Sequence, residues 1–154
     1  MNEITIDYID GFMRAVSCGC HGCDYVPFYG VDSFEHTADT IKNSLENHFG
    51  LKSTPKWNSP NWPRIENYTL IEADNWKTKL NELLEKWVHS KSKFDSEFIE
   101  SYKDDLFDQI FEVVGSSPDC FYANIEHEDF EYDNETIGFV GKGNAFYMHF
   151  SFSD

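Results

Sequence analysis

The sequence predicts an α+β fold: N-terminal helices followed by a small antiparallel β-meander, with a single layer of helices on the sheet. Three observations carry this. Apolar residues recur at helical spacing through most of the first 114 positions. After Ser116-Ser117-Pro118 the apolar period drops to two. Aromatic residues make up 17% of the 154 residues (fourteen Phe, eight Tyr and four Trp), enough to build one core despite the charge. Length and the lack of an internal repeat or strong boundary predict a single domain over 1–154.

The first helix is expected over residues 4–16, where Ile4, Tyr8, Ile9, Phe12, Met13 and Val16 recur three or four apart. Ser17 to Gly30, with three cysteines and three glycines, reads as a loop. Asp32 or Ser33 is placed to cap a second helix bearing Phe34, Ala38, Ile41, Leu45 and Phe49, with Gly50 as its stop. Residues 51–67, with Pro55, Pro60, Pro63, Trp57 and Trp62, read as an irregular loop pinned by its tryptophans. A short strand fits 68–72. Asp74 then caps a helix carrying Trp76, Leu80, Leu83, Leu84, Trp87 and Val88, and Ser92 or Asp95 starts another that ends at Gly115. Strand alternation follows at 121–126, 129–133 and 146–152, with 136–140 extending or pairing with that set. Asp133-Asn134 and Gly141-Lys142-Gly143 serve as turns.

Charge is distributed unevenly over this framework. The chain carries −16, and the segment between Phe94 and Gly141 holds fourteen acids against the single base Lys103, a local balance of −13. On a wheel of about 100° per residue, the 95–114 helix has a core arc of Tyr102, Leu106, Ile110, Val113 and their neighbours. Its opposite arc is almost purely acidic. Glu100, Asp104, Asp108 and Glu112 follow one another at i, i+4, and each such like-charge pair costs the helix roughly 0.2–0.5 kcal/mol. An exposed helix needing only solubility would gain by alternating Glu with Lys. Phe111 falls at about 220° on the wheel, among the acids and past the edge of the apolar arc. This placement predicts a contact residue and not a core one. A second acidic set, Glu126, Glu128, Asp129, Glu131, Asp133 and Glu135, follows the second strand pattern. Its odd-numbered members from Asp129 share one face if the strand runs through Glu135. Together these residues form the candidate partner-binding surface. Such a field repels polyanions, nucleic acid included, and attracts a basic protein.

Other patterns carry less chemistry. Cys18, Cys20, His21 and Cys23 crowd one turn, and Cys20-x-x-Cys23 has zinc-knuckle spacing, but a second ligand pair is missing. The bland alternative is reduced thiols filling a glycine-rich turn, and no metal or cofactor is expected. The 129–140 stretch looks superficially like a calcium loop but lacks its glycine and closing glutamate. No phosphate loop, nucleophile elbow or metalloprotease helix occurs, so enzymatic activity is not expected. The N-terminus lacks a basic stretch followed by an apolar run, and no apolar run approaches ~20 residues, which makes the cytoplasm the default compartment.

Small size, the one-sided acid excess and the absence of catalytic motifs resemble bacterial toxin-immunity proteins, of the contact-dependent growth inhibition and colicin types. The likeness is one of overall character and transfers no residue. It implies a protein that binds and neutralises one cognate basic toxin domain, often a nuclease. Two other readings stand beside it. One is a small zinc-binding regulatory protein built on Cys18, Cys20 and Cys23. The other is an acidic nucleic-acid mimic that inhibits a DNA-binding protein.

Overall fold

The computed structural model describes residues 4–21, 28–50, 64–89, 95–126 and 134–151. Its elements in chain order are α1 (Ile6–His21), β1 (Phe28–Ser33), α2 (Ile41–His48), β2 (Arg64–Ile71), α3 (Trp76–Leu84, continuing as a π-turn over Glu85–His89), α4 (Ser96–Val114), β3 (Asp119–Glu126), β4 (Asn134–Gly141) and β5 (Asn144–Ser151). The strands form one sheet in the order β1-β5-β4-β3-β2, and every neighbouring pair is antiparallel. The fold is α+β, as the change of period predicts.

Period-two alternation sorts the sheet residues into two faces. Ile137, Phe139, Phe146, Met148 and Phe150 face the larger core, built with Ile9 and Met13 of α1, Trp76, Leu80 and Leu84 of α3, and Leu106 and Ile110 of α4. Phe121, Ala145 and Tyr147 point to the opposite face, where Leu45 of α2 and Phe34, from the segment between β1 and α2, cover them. On that face Phe121 lies across Gly138, its partner in register. A Cβ at 138 would come within 2.0 Å of the Phe121 ring, so only glycine fits. The β4–β5 connection is the two-residue turn Lys142-Gly143, with φ of +50° and +76°. Positive φ at both positions matches the right-handed twist of a tight hairpin.

Helix ends follow their local chemistry. Asp95 caps α4, accepting from Phe98 N at 2.9 Å, and Gly115, at φ +89°, ends the helix. Gly50, at φ +72°, follows α2.

Several boundaries differ from the sequence reading. Helix α1 runs on through His21, so residues 17–21 are helical and not loop; Gly19 lowers helix propensity without breaking the ladder. Residues 28–33 form strand β1, whose pairing partner β5 lies more than a hundred positions away. Helix α2 starts at Ile41 and not near Ser33, because Thr40 supplies the cap, accepting from Asn43 N at 3.1 Å. Asp32 belongs to β1 and accepts a hydrogen bond from the Tyr147 hydroxyl at 3.3 Å. Strand β2 begins at Arg64, four residues before the expected strand. Asn75, not Asp74, precedes α3, and it makes no side-chain cap bond. The proline-rich stretch 51–63, the Asp133 turn position and the 129–133 strand lie outside the described residues.

Candidate protein-binding face

Helix α4 is held to the core by Tyr102, Leu106, Ile110, Val113 and Val114, all buried. Its outer side presents Glu97, Glu100, Asp104, Asp105, Asp108 and Glu112, all exposed. Phe111 stands among them and is 45% exposed. The Lys142 ammonium sits 5.8 Å from the centre of its ring. That lysine arrives because the β4–β5 hairpin docks on the C-terminal end of α4. A Cβ on Gly141 would meet the Val114 carbonyl oxygen at 2.1 Å, and the Asn144 side chain donates to the Val113 carbonyl at 2.9 Å. Nothing in the spacing of 141–143 reveals this docking, so the cation beside Phe111 was not legible in the sequence.

Lys103, the lone base of the acidic segment, turns inward. It is 7% exposed, donates to Asn81 Oδ1 at 2.7 Å and lies 3.0 Å from Glu100 and 3.8 Å from Glu85. Glu100 is therefore partly neutralised, unlike Asp104, Asp108 and Glu112, which have no ion-pair partner among the described residues. Glu85 also lies 3.3 Å from His89 Nδ1, and His89 Nε2 is hydrogen-bonded to the Tyr102 hydroxyl. The wide π-turn places Glu85 and His89 against α4 while Trp87 and Val88 still reach the core. Burial lowers the His89 pKa and Lys103 adds to that; Glu85 and Glu100 oppose it in part.

The second acidic set divides differently. Glu126 closes β3, and Glu128, Asp129, Glu131 and Asp133 lie outside the described residues. Glu135 does not continue their strand. It belongs to β4, opposite Phe150 of β5, and its side chain is only 14% exposed. Three donors converge on it: Trp87 Nε1 at 2.6 Å, the Tyr122 hydroxyl at 2.7 Å and Lys86 Nζ at 2.9 Å. Burial alone would raise its pKa, but the bonds from Lys86, Tyr122 and Trp87 outweigh it and hold the carboxyl below its usual range. Glu135 is thus an anchor for three elements and not part of an open acidic face. Sequence reasoning missed this because Trp87 lies 48 positions away.

Cys18 and Cys20 lie in the last turns of α1, and Cys23 lies outside the described residues. Cys120 is buried and its thiol is pushed up to about 12, chiefly by burial, which makes it a packing residue and not a nucleophile. Among the described residues no group of three His, Cys, Asp or Glu could hold a metal ion, and no helix is long and apolar enough to cross a membrane. Comparison with protein-family models, curated proteins and solved structures finds no match.

Proposed function

We propose that this chain neutralises a basic protein partner, of the toxin-nuclease type met by bacterial immunity proteins, by docking the outer face of α4 on it in the cytoplasm. The observation that carries this reading is the half-exposed Phe111 ring set among carboxylates that lack ion-pair partners among the described residues. A water-exposed aromatic among like charges is costly decoration for a free helix. It suits an interface, where the ring becomes a desolvated anchor and the acids steer and orient the partner. Asp104, Asp108 and Glu112 supply the unpaired charge. No catalytic role is assigned to any of them, because crowded, solvated carboxylates offer no distinct acid and base.

The test is to express each reading frame that adjoins the gene with and without this chain; a neighbour that is toxic alone is the expected partner. The wild-type chain is expected to rescue growth, and the folded double variant Asp104→Lys, Asp108→Lys is expected to fail. Rescue by the double variant would remove the acidic face from the mechanism. With purified partner, the association rate should fall as salt is added, since exposed charges are screened beyond about 8 Å at physiological ionic strength. A salt-independent rate would remove the steering.

A further inference from the structure

Away from α4, a half-open groove of about 770 Å³ lies between the start of α2 and the end of β2. Tyr68, Leu70 and Ile41 line its apolar part. Tyr68 stacks on the buried Phe121 at 5.7 Å between ring centres, so this part of the lining is fixed to the sheet. Leu70 is 65% exposed, more than any other large hydrophobic described. It is nonetheless held firmly, in register opposite Phe121, beyond the irregularity between Glu66 and Thr69. Among the described residues, no strand pairs with the outer side of β2.

Edge strands are ordinarily protected by charge, bulges or twist. Here the bulge and the left-handed Asn67 (φ +55°) sit in the first half of the strand. The second half keeps a regular ladder and presents an open leucine. The surrounding charge is also one-sided. Among the described residues, Asp39, Glu72 and Asp119 line the groove together with Lys42 and His36. The pKa of Tyr68 is raised by burial and then by the Asp119 charge, consistent with a negative potential over the apolar surface.

We propose that this groove is a second docking site, independent of α4, for an extended basic segment of a partner protein. An aliphatic side chain of that segment rests on Leu70 and Tyr68. A flanking Lys or Arg reaches Asp119 or Glu72. The volume fits a few side chains, and the acids disfavour an acidic or purely apolar occupant.

The probe is a blocked peptide alternating Lys and Leu, titrated into the full chain while side-chain methyl signals are followed by NMR. Two control peptides replace Leu by Ser or Lys by Glu. The Lys/Leu peptide is expected to saturate in the millimolar range or below and to shift the Leu70 and Ile41 methyls. Both controls should leave those methyls in place. Leu70→Ser, at an exposed position that does not support the core, should weaken binding about tenfold. Asp119→Asn should weaken it less and remove part of its salt dependence. Shifts confined to α4, equal binding by the Lys/Ser peptide, or unchanged affinity in Leu70→Ser would each overturn the proposal. All three outcomes leave the α4 reading standing, since that reading predicts nothing at Leu70.

Discussion

On α4, Asp108 stands in water one turn from Asp104 and one turn from Glu112, with no cation beside it among the described residues. At the start of β4, Glu135 sits under Trp87, Tyr122 and Lys86, each of which donates to its carboxylate. The two carboxylates belong to the same acidic third of the chain, yet their energetics have opposite signs. Asp108 adds repulsion to its helix. Glu135 ties the π-turn to β3 and β4, and its removal takes a charged acceptor from Trp87, Tyr122 and Lys86. Acidic composition therefore describes two regions with different tasks: one fastens the fold, the other is left open at a cost to it.

Acid should expose this difference most strongly. His149 is 1% exposed, hydrogen-bonded through Nδ1 to Thr136 at 2.5 Å, and burial lowers its pKa to about 3. The fold requires it neutral. Its contribution is complete above the unfolded value of about 6.5 and is lost as pH falls from there towards 3. His89, also lowered, acts in the same direction. Glu135 contributes above the ordinary carboxylate range and loses its contribution as pH falls through its lowered folded value. Denaturant titrations should show stability declining below about pH 6.5, by up to roughly 1.4 kcal/mol per pH unit for each histidine. His149→Gln should flatten that slope. An unchanged slope would place the titrating groups elsewhere.

Glu135→Ala should cost about 1–3 kcal/mol by chemical denaturation at neutral pH, the loss of a part-buried, charge-assisted hydrogen-bond network. Asp108→Ala should cost nothing measurable. If the two variants behave alike, the distinction between fastening and open acids fails. Phe111→Ala tests the open region directly. A half-exposed ring should cost at most about 1 kcal/mol of stability, well short of the ~3–5 kcal/mol of a buried phenylalanine. In the complex it should cost more than about 1 kcal/mol of affinity. The effect of opposite sign is expected from Asp108→Lys, which turns two repulsive pairs into attractive ones and should stabilise the free protein by roughly 1–2 kcal/mol. That gain, joined to a loss of partner binding, is the signature of stability given up for recognition.

Features set by local rules were legible in the sequence. The cap at Asp95, the stop at Gly115, the apolar arc of α4 and the two-residue spacing in β3 and β5 all depend on near neighbours. Features set by distant contacts were not. Strand β1 carries a glycine and an aspartate and reads as loop until β5 lies beside it. Glu135 reads as one more surface acid until Trp87 arrives. Lys103 is only the single base of the acidic segment until α3 brings Asn81, and the π-turn Glu85, to its ammonium. For the candidate face, the exposed placement of Phe111 followed from helical geometry alone, whereas Lys142 beside it depended on how a hairpin docks. The groove at Leu70 left no sequence signal, because 64–67 read as loop and α2 was placed too early.

The position of β5 between β1 and β4 bears on how the chain reaches this shape during synthesis. Strand β1 finds its only described strand neighbour in residues 144–151, and the Tyr147–Asp32 hydrogen bond spans 115 positions. While the ribosome is still making α4, β1 has no ladder to join, and α1 has only part of its eventual packing surface. Closing so long a loop late favours slow, all-at-once completion over piecewise assembly. A nascent chain stalled just short of β5 should therefore remain protease-sensitive in its first fifty residues, although every one of them has already been made.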